Sequence, residues 1–234
     1  MRLRWPGWPL TAAAVAGLVL TLSAAHWQFN RAVYKSELAA RYAARQAQPP
    51  ILVGRDGEPR DMAYRRIEAF GEFDALRAVL VDNRVRAGRA GFEVIMPLKL
   101  ANGSGFLLVN RGWVAASGDR RSLPRVMTPA GVVRVAGTAV IPSEHPYELS
   151  YQTVQGRVWQ NFTLSRYRAA YDIAVRDYLV RQENDIGDGL ARDWSAPGFG
   201  IQRHRAYAAQ WLIFAALIVV FYVYFGCVRA RASQ

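Results

Sequence analysis

The chain has 234 residues, is 52% hydrophobic and carries a formal net charge of +12. Only Lys35 and Lys99 are lysines; every other basic residue is an arginine, and they are scattered, without the basic patch and interleaved aromatics of a nucleic-acid binder. The one cysteine, Cys227, excludes an intrachain disulfide and a multi-thiolate copper or zinc site.

Arg2 and Arg4 are followed by no Arg, Lys, Asp or Glu until Arg31. Trp5, Trp8, Trp27 and Phe29 fall near the edges of that stretch, as the aromatic belt of a membrane span does. The pattern predicts a first transmembrane helix over 8–28. A cleavable signal peptide is the competing reading, with Leu22-Ser23-Ala24-Ala25 as its small-residue site; the length of the apolar stretch and the aromatics after it favour an anchor. Helical spacing then continues to Pro49-Pro50, which predicts a stalk over 29–48.

The middle of the chain turns to strand signals, predicting a β-rich core over 60–182. Runs at 64–70 and 91–98 read as strands, Asn102-Gly103-Ser104-Gly105 as a turn, and 106–114 as a strong strand beyond it. Further strands are expected at 132–140, 157–162 and 176–181, with a short helix at 165–171. Crossover helices are mostly missing, so pairing should be mainly antiparallel. Residues 206–228 carry no charge; as a helix they extend roughly 34 Å, enough for a hydrocarbon core of about 30 Å. The fold class expected is therefore an α+β membrane protein. Two transmembrane helices flank a mainly antiparallel extramembrane domain, a sheet or open barrel with short helices.

Two spans put both chain ends on one side. The predicted topology has residues 1–7 and 229–234 in the cytoplasm and 29–205 in the periplasm, with anionic lipid as the partner of the basic residues beside the bilayer.

No catalytic constellation assembles. His26, His145 and His204 are the only histidines; His26 and His204 fall at membrane edges and His145 in a Pro-flanked loop. There is no nucleophile elbow, phosphate loop, dinucleotide glycine pattern or metal-ligand spacing. Asp177, Glu183, Asp185 and Asp188 fall in a stretch that reads as solvated. The expectation is a protein that is not an enzyme. Asn110-Arg111-Gly112-Trp113 is distinctive because it interrupts a good strand. In the packing reading Gly112 permits a bulge, Arg111 pairs with a carboxylate and Trp113 caps the core. In the functional reading Asn110, Arg111 and Trp113 form a partner-binding rim.

Leu108-Val109-Asn110-Arg111-Gly112-Trp113-Val114 resembles the central signature of the Surfeit locus protein 1 family. His204-Arg205-Ala206-Tyr207-Ala208-Ala209-Gln210-Trp211 resembles its second-span signature, differing at Arg205-Ala206. Asn83-Arg84, Gly91-Phe92-Glu93-Val94, Met96-Pro97-Leu98 and Val158-Trp159-Gln160-Asn161 fit the same family, over roughly residues 60–215. The resemblance implies an assembly factor for cytochrome c oxidase in the bacterial inner membrane. It implies help in placing heme a into subunit 1, with that subunit and the heme a synthesis enzymes as partners, and it points to His204 as the candidate ligand of the heme iron.

A neutral imidazole suits that role. Tyr207 and Trp211 follow His204 at i+3 and i+7, so one helix face offers a ligand, a phenol and an aromatic wall. Arg203 and Arg205 flank that face and can meet propionates or lipid phosphates equally. His26 ends the first span at a matched depth; it reads either as a second heme ligand or as an interface residue. A cofactor-free scaffold for an oxidase intermediate is the alternative function.

Overall fold

A computed structural model describes residues 7–54, 58–117, 122–146, 153–194 and 198–228. The terminal segments expected in the cytoplasm, with Arg2, Arg4 and Trp5, lie outside the described residues apart from Gly7. The chain forms two compact units, residues 1–43 with 197–234, and residues 44–196.

The first unit is a pair of long helices, α1 (Trp8–Gln46) and α3 (Ile201–Val228). Both are long and apolar enough to cross a membrane, with windows of mean hydropathy 1.6 and 2.1. Residues sheltered from solvent on α1 include Thr11, Ala14, Leu18, Thr21, Ala25, Gln28 and Ala32; on α3 they are Ile201, His204, Ala208, Trp211, Ala215, Ile218 and Tyr222. Both sets step alternately by three and four. That repeat of about 3.5 residues makes a left-handed seam of two helices. The helices run antiparallel: Thr11 Oγ1 lies 2.9 Å from Tyr222 Oη, and Gln28 Oε1 lies 2.8 Å from His204 Nδ1. Small residues on α1 permit close approach; a Cβ on Gly17 would sit 3.1 Å from Ile218 Cδ1. The opposite faces expose Trp8, Leu20, Leu22, Trp27 and Phe29 on α1, and Leu212, Ile213, Val220 and Phe221 on α3. A pair that is apolar all round belongs in an apolar medium.

Helix α1 runs without a break through the predicted span and stalk, ending before Pro49. Helix α3 begins five residues earlier than the uncharged run at 206, so Arg203, His204 and Arg205 are helical. The uncharged run marks what the helix is made of, and says nothing of where its hydrogen bonds start.

The second unit contains β1 (Ile51–Leu52), β2 (Arg66–Phe73), β3 (Val79–Arg86), β4 (Arg89–Leu100), β5 (Phe106–Ala115), β6 (Val133–Val140), β7 (Val154–Gln155), β8 (Val158–Trp159), α2 (Leu164–Tyr171) and β9 (Val175–Gln182). Strand β2 pairs with β6 along its first part and with β4 through Gly71, Glu72 and Phe73. With β6–β9, β9–β5 and β5–β4 pairings, this closes a ring of five strands. The barrel is therefore closed where the sequence pattern predicts a sheet or open barrel. Gly71 stands where β2 changes partner; a Cβ there would lie 2.2 Å from Lys99 O, so no side chain fits the corner. Pairing is mainly antiparallel, with β1–β2, β3–β8 and β5–β9 parallel.

Strands β2, β4, β5, β6 and β9 match the predicted runs to within a few residues. Strand β3 has no counterpart among them. Asp82-Asn83-Arg84 breaks its apolar alternation, and the ladder with β4 shifts register there, with Asn83 at φ 58°. The run at 157–162 forms only two residues of strand, because the chain turns at Thr163, whose Oγ1 accepts from Arg166 N at 3.1 Å and caps α2.

Period-two alternation divides the strand residues among three clusters. Ile67, Ala69, Leu98, Leu107, Val109, Val135, Tyr178 and Val180 pack in one. Val79, Val81, Ile95, Leu108 and Leu179 pack in a second, beneath Trp159, Phe162, Leu164 and Tyr167. Ala78, Leu80, Val94, Met96 and Leu190 form the third. Strand β5 contributes to the first two, and Asn110 and Arg111 fall on opposite faces of it.

Candidate functional site

In the helix pair, His204 is half-buried at a seam position. Its Nδ1 is held by Gln28 at 2.8 Å, and among the described residues no group bonds Nε2. Trp211 lies two seam positions further on, half-buried, its ring edge-on to Phe214 at 5.7 Å between centroids. Tyr207 is 47% exposed and stands outside the seam, so the structure joins His204 with Trp211 on one face and turns Tyr207 from it. Arg203 and Arg205 are exposed on either side. His26 is exposed and off the seam, and its Nε2 pairs with Asn30 Nδ2 at 2.9 Å within α1. The two histidines thus have separate partners and the structure does not bring them together.

This donor set fits a heme. No group of three or more His, Cys, Asp or Glu placed to hold a metal ion occurs among the described residues. A heme brings four nitrogens of its own and asks the protein for an axial ligand, which one imidazole with an unbonded nitrogen supplies. Gln28 has no place among the sequence-derived site residues. The signal available was an amide at a 3.5-residue phase shared with Thr21 and Ala25, where the neighbouring polar residues His26 and Asn30 fall off that phase.

The Asn110-Arg111-Gly112-Trp113 stretch is a β-bulge. Val94 pairs with Gly112 and Ile95 with Asn110, leaving Arg111 as the extra residue. Gly112 takes φ 141°, and a Cβ on it would lie 2.8 Å from Ala191 O, so glycine lets the 188–192 segment lie against the strand. Trp113 and Ala191 exchange both backbone hydrogen bonds, at 2.8 and 2.9 Å.

The Arg111 side chain is wholly buried. It donates to Asp188 Oδ2 at 2.6 Å, to Met127 O at 2.7 Å and to Thr128 Oγ1 at 3.1 Å, and its guanidinium carbon lies 4.5 Å from the Phe73 ring centre. Arg192 donates to both Asp188 oxygens, at 2.7 and 2.6 Å. Burial lowers the Arg111 pKa, and the bond to Asp188 works against that. Burial also acts to raise Asp188, but hydrogen bonds from Arg192, Arg111 and the Leu190 N–H prevail and hold the carboxyl below the usual carboxylate value. The expected carboxylate partner of Arg111 is thus present. Asp188, which its glycine-flanked loop marks as solvated, is 8% exposed and clamped by two arginines; this corrects the solvated reading. Arg111 itself reaches no surface.

Asn110 and Trp113 look elsewhere. Trp113 Nε1 donates to Arg84 O at 2.7 Å. Asn110 Nδ2 donates to Glu93 Oε2 at 2.8 Å, while its Oδ1, buried, has no partner among the described residues. Asn110 and Glu93 line a cleft of about 210 Å³ with Arg84, Arg181, Ser143 and Phe162. His145 is exposed beside it, its backbone N–H donating to Ser143 Oγ at 3.3 Å.

The chain matches the SURF1 family over residues 15–216, a stretch that takes in the bulge motif and the His204 end of α3. It is 26% identical over 239 residues to a SURF1-like protein of Monosiga brevicollis, covering 88% of this chain and 83% of that relative. A match over most of the chain, with the bulge and His204 inside it, makes this protein a member of the SURF1 family, the cytochrome c oxidase assembly factors.

Proposed function

We propose that this protein assists delivery of heme a to subunit 1 of cytochrome c oxidase, holding the heme in transit at His204. The observation that carries this reading is the half-buried imidazole with Nδ1 held by Gln28 and Nε2 unbonded among the described residues. Heme a is cargo here, and His204 Nε2 would supply a nitrogen ligand to its iron. Trp211 supplies an apolar wall on the same face, Tyr207 a phenol beside it, and Arg203 and Arg205 supply charge for propionates. A single ligand on a laterally open helix pair suits a reversible hold. His26 belongs to the reading only as a second ligand reached by movement of its ring away from Asn30. The helices cross the bacterial inner membrane as α1 and α3, with the β unit in the periplasm, and no step of the reading requires covalent catalysis.

Partner contact falls to the β unit. Asn110 and Trp113 border the polar cleft and the strand rim, and Arg111 holds the bulge that presents them. Subunit 1 and the heme a synthesis enzymes are the partners in this reading.

The deciding experiment is an optical spectrum of the detergent-purified chain, produced with heme a synthesis active, for wild type and His204→Ala. A heme a spectrum in the wild type that disappears in the variant is expected. A colourless wild type would leave a cofactor-free scaffold that stabilises an oxidase intermediate, a reading that draws on the polar cleft lined by Arg84, Glu93, Asn110 and Arg181.

A further inference from the structure

The residue that commits one nitrogen of His204 lies on the other helix, 176 positions away in sequence. An amide oxygen only accepts hydrogen bonds. With Gln28 Oε1 2.8 Å away, the neutral ring carries its proton on Nδ1 and keeps its lone pair on Nε2. This is the less stable tautomer of a histidine side chain in water, where the proton prefers Nε2, so the protein has to select it. Nothing else in the α1 seam nearby can do so. Ala25 and Ala32 flank Gln28 in the seam, and the hydroxyl of Thr21 is bonded to Gly17 O at 2.8 Å within its own turn.

We infer that Gln28 is a positioning residue for His204. It fixes the tautomer that leaves Nε2 free to donate to a Lewis-acidic centre, and it holds the plane of the ring relative to the seam. A ligating histidine commonly needs such an outer partner on its second nitrogen, and losing one weakens metal binding by about 10- to 100-fold. The inference rests on the reading of His204 as a heme ligand, but its first consequence concerns the protein without heme. A merely structural Gln28, a polar residue that sets the register of the two helices, would leave the proton on either nitrogen.

The test uses the full chain in detergent, with ¹⁵N-labelled histidine and no heme. His204→Ala identifies the His204 signals by difference from those of His26 and His145. Wild type is expected to show a protonated Nδ1 and a pyridine-like Nε2. Gln28→Leu should return the proton to Nε2, whereas Gln28→Glu, which restores an acceptor, should keep the wild-type pattern. Titration with heme a should then show weaker binding by about 10- to 100-fold for Gln28→Leu and near wild-type binding for Gln28→Glu. A wild-type ring protonated at Nε2, or a Gln28→Leu ring that keeps the wild-type tautomer, would overturn the inference. So would a reverted tautomer with unchanged heme affinity, which would reduce Gln28 to a register device. Heme retained by His204→Ala would instead remove the ligand reading and leave the tautomer result standing.

Discussion

Asp188 carries two guanidinium groups with one carboxylate, and that asymmetry decides which substitution does harm. Removing one member of a buried pair costs about 3–5 kcal/mol when it leaves a charge uncompensated. Asp188→Ala strips Arg111 of its carboxylate inside the fold and leaves Arg192 only the exposed Asp185, at 3.3 Å. Arg111→Met leaves Asp188 still bonded to Arg192 through both oxygens, and a flexible apolar side chain suits the site beside Met96 and Phe73. Chemical denaturation should therefore show the larger loss for Asp188→Ala. Equal losses would mean that Arg192 contributes nothing. The same carboxylate gives an acid limb to stability. Its folded pKa is depressed, so its contribution is complete above the ordinary carboxylate value of about 3.9 and is lost as pH falls through the folded value. Glu144 acts in the same direction: its pKa is lowered first by the Ser165 hydroxyl and then by the Leu164 and Ser165 N–H groups, against the opposing pull of burial. As pH falls below about 4 the unfolding midpoint should drop for wild type, and the drop should be shallower in Asp188→Asn.

At the scale of elements, two arrangements set what the site can be. The bulge on β5 is one. Gly112→Val would combine a β-branched side chain at φ 141° with a clash at Ala191 O, 2.8 Å from the new Cβ. Backbone strain of this kind costs about 1–3 kcal/mol before any clash, and the variant should release the 188–192 segment, read as faster amide exchange at Trp113 and Ala191. The helix seam is the other. Ala208 and Ala215 are 8% and 6% exposed in it, so Ala208→Leu should force the helices apart one turn from His204. Lower heme retention with unchanged helix content is the expected result; Leu212→Ala, on the exposed face, should leave retention unchanged.

These elements also show what a sequence discloses. The strands with unbroken alternation, the turn at Gly103 and the full length of α1 were legible, because each depends on neighbours a few residues away. The bulge and the carboxylate pairing of Arg111 were legible too, since a charged residue followed by glycine in mid-strand breaks the ladder and brings in a charge that must be neutralised. Closure of the barrel was not: it rests on three pairings between β2 and β4 that no local pattern encodes. Strand β3 was hidden by Asp82-Asn83-Arg84. Asp188 looked solvated because its neighbours Gly187 and Gly189 mark a turn, and its burial is imposed by an arginine 77 positions earlier. Gln28 escaped for the same reason at larger separation.

For the molecule as a whole, the closed ring leaves β1 and β7 as the ends of the strand order, each two residues long. Such short ends offer little template for strand addition, so the β unit has scant means of recruiting another chain through backbone pairing. Partner choice then falls to side chains around the cleft and the rim at Trp113. The helix pair has a different consequence, and it concerns time. Gln28 must wait for His204 while 176 positions of chain are made, roughly ten to thirty seconds at ordinary synthesis rates. Throughout that interval α1 stands alone with its amide unanswered, so the newborn protein has a stage at which its first helix is complete and the Gln28–His204 pair does not yet exist.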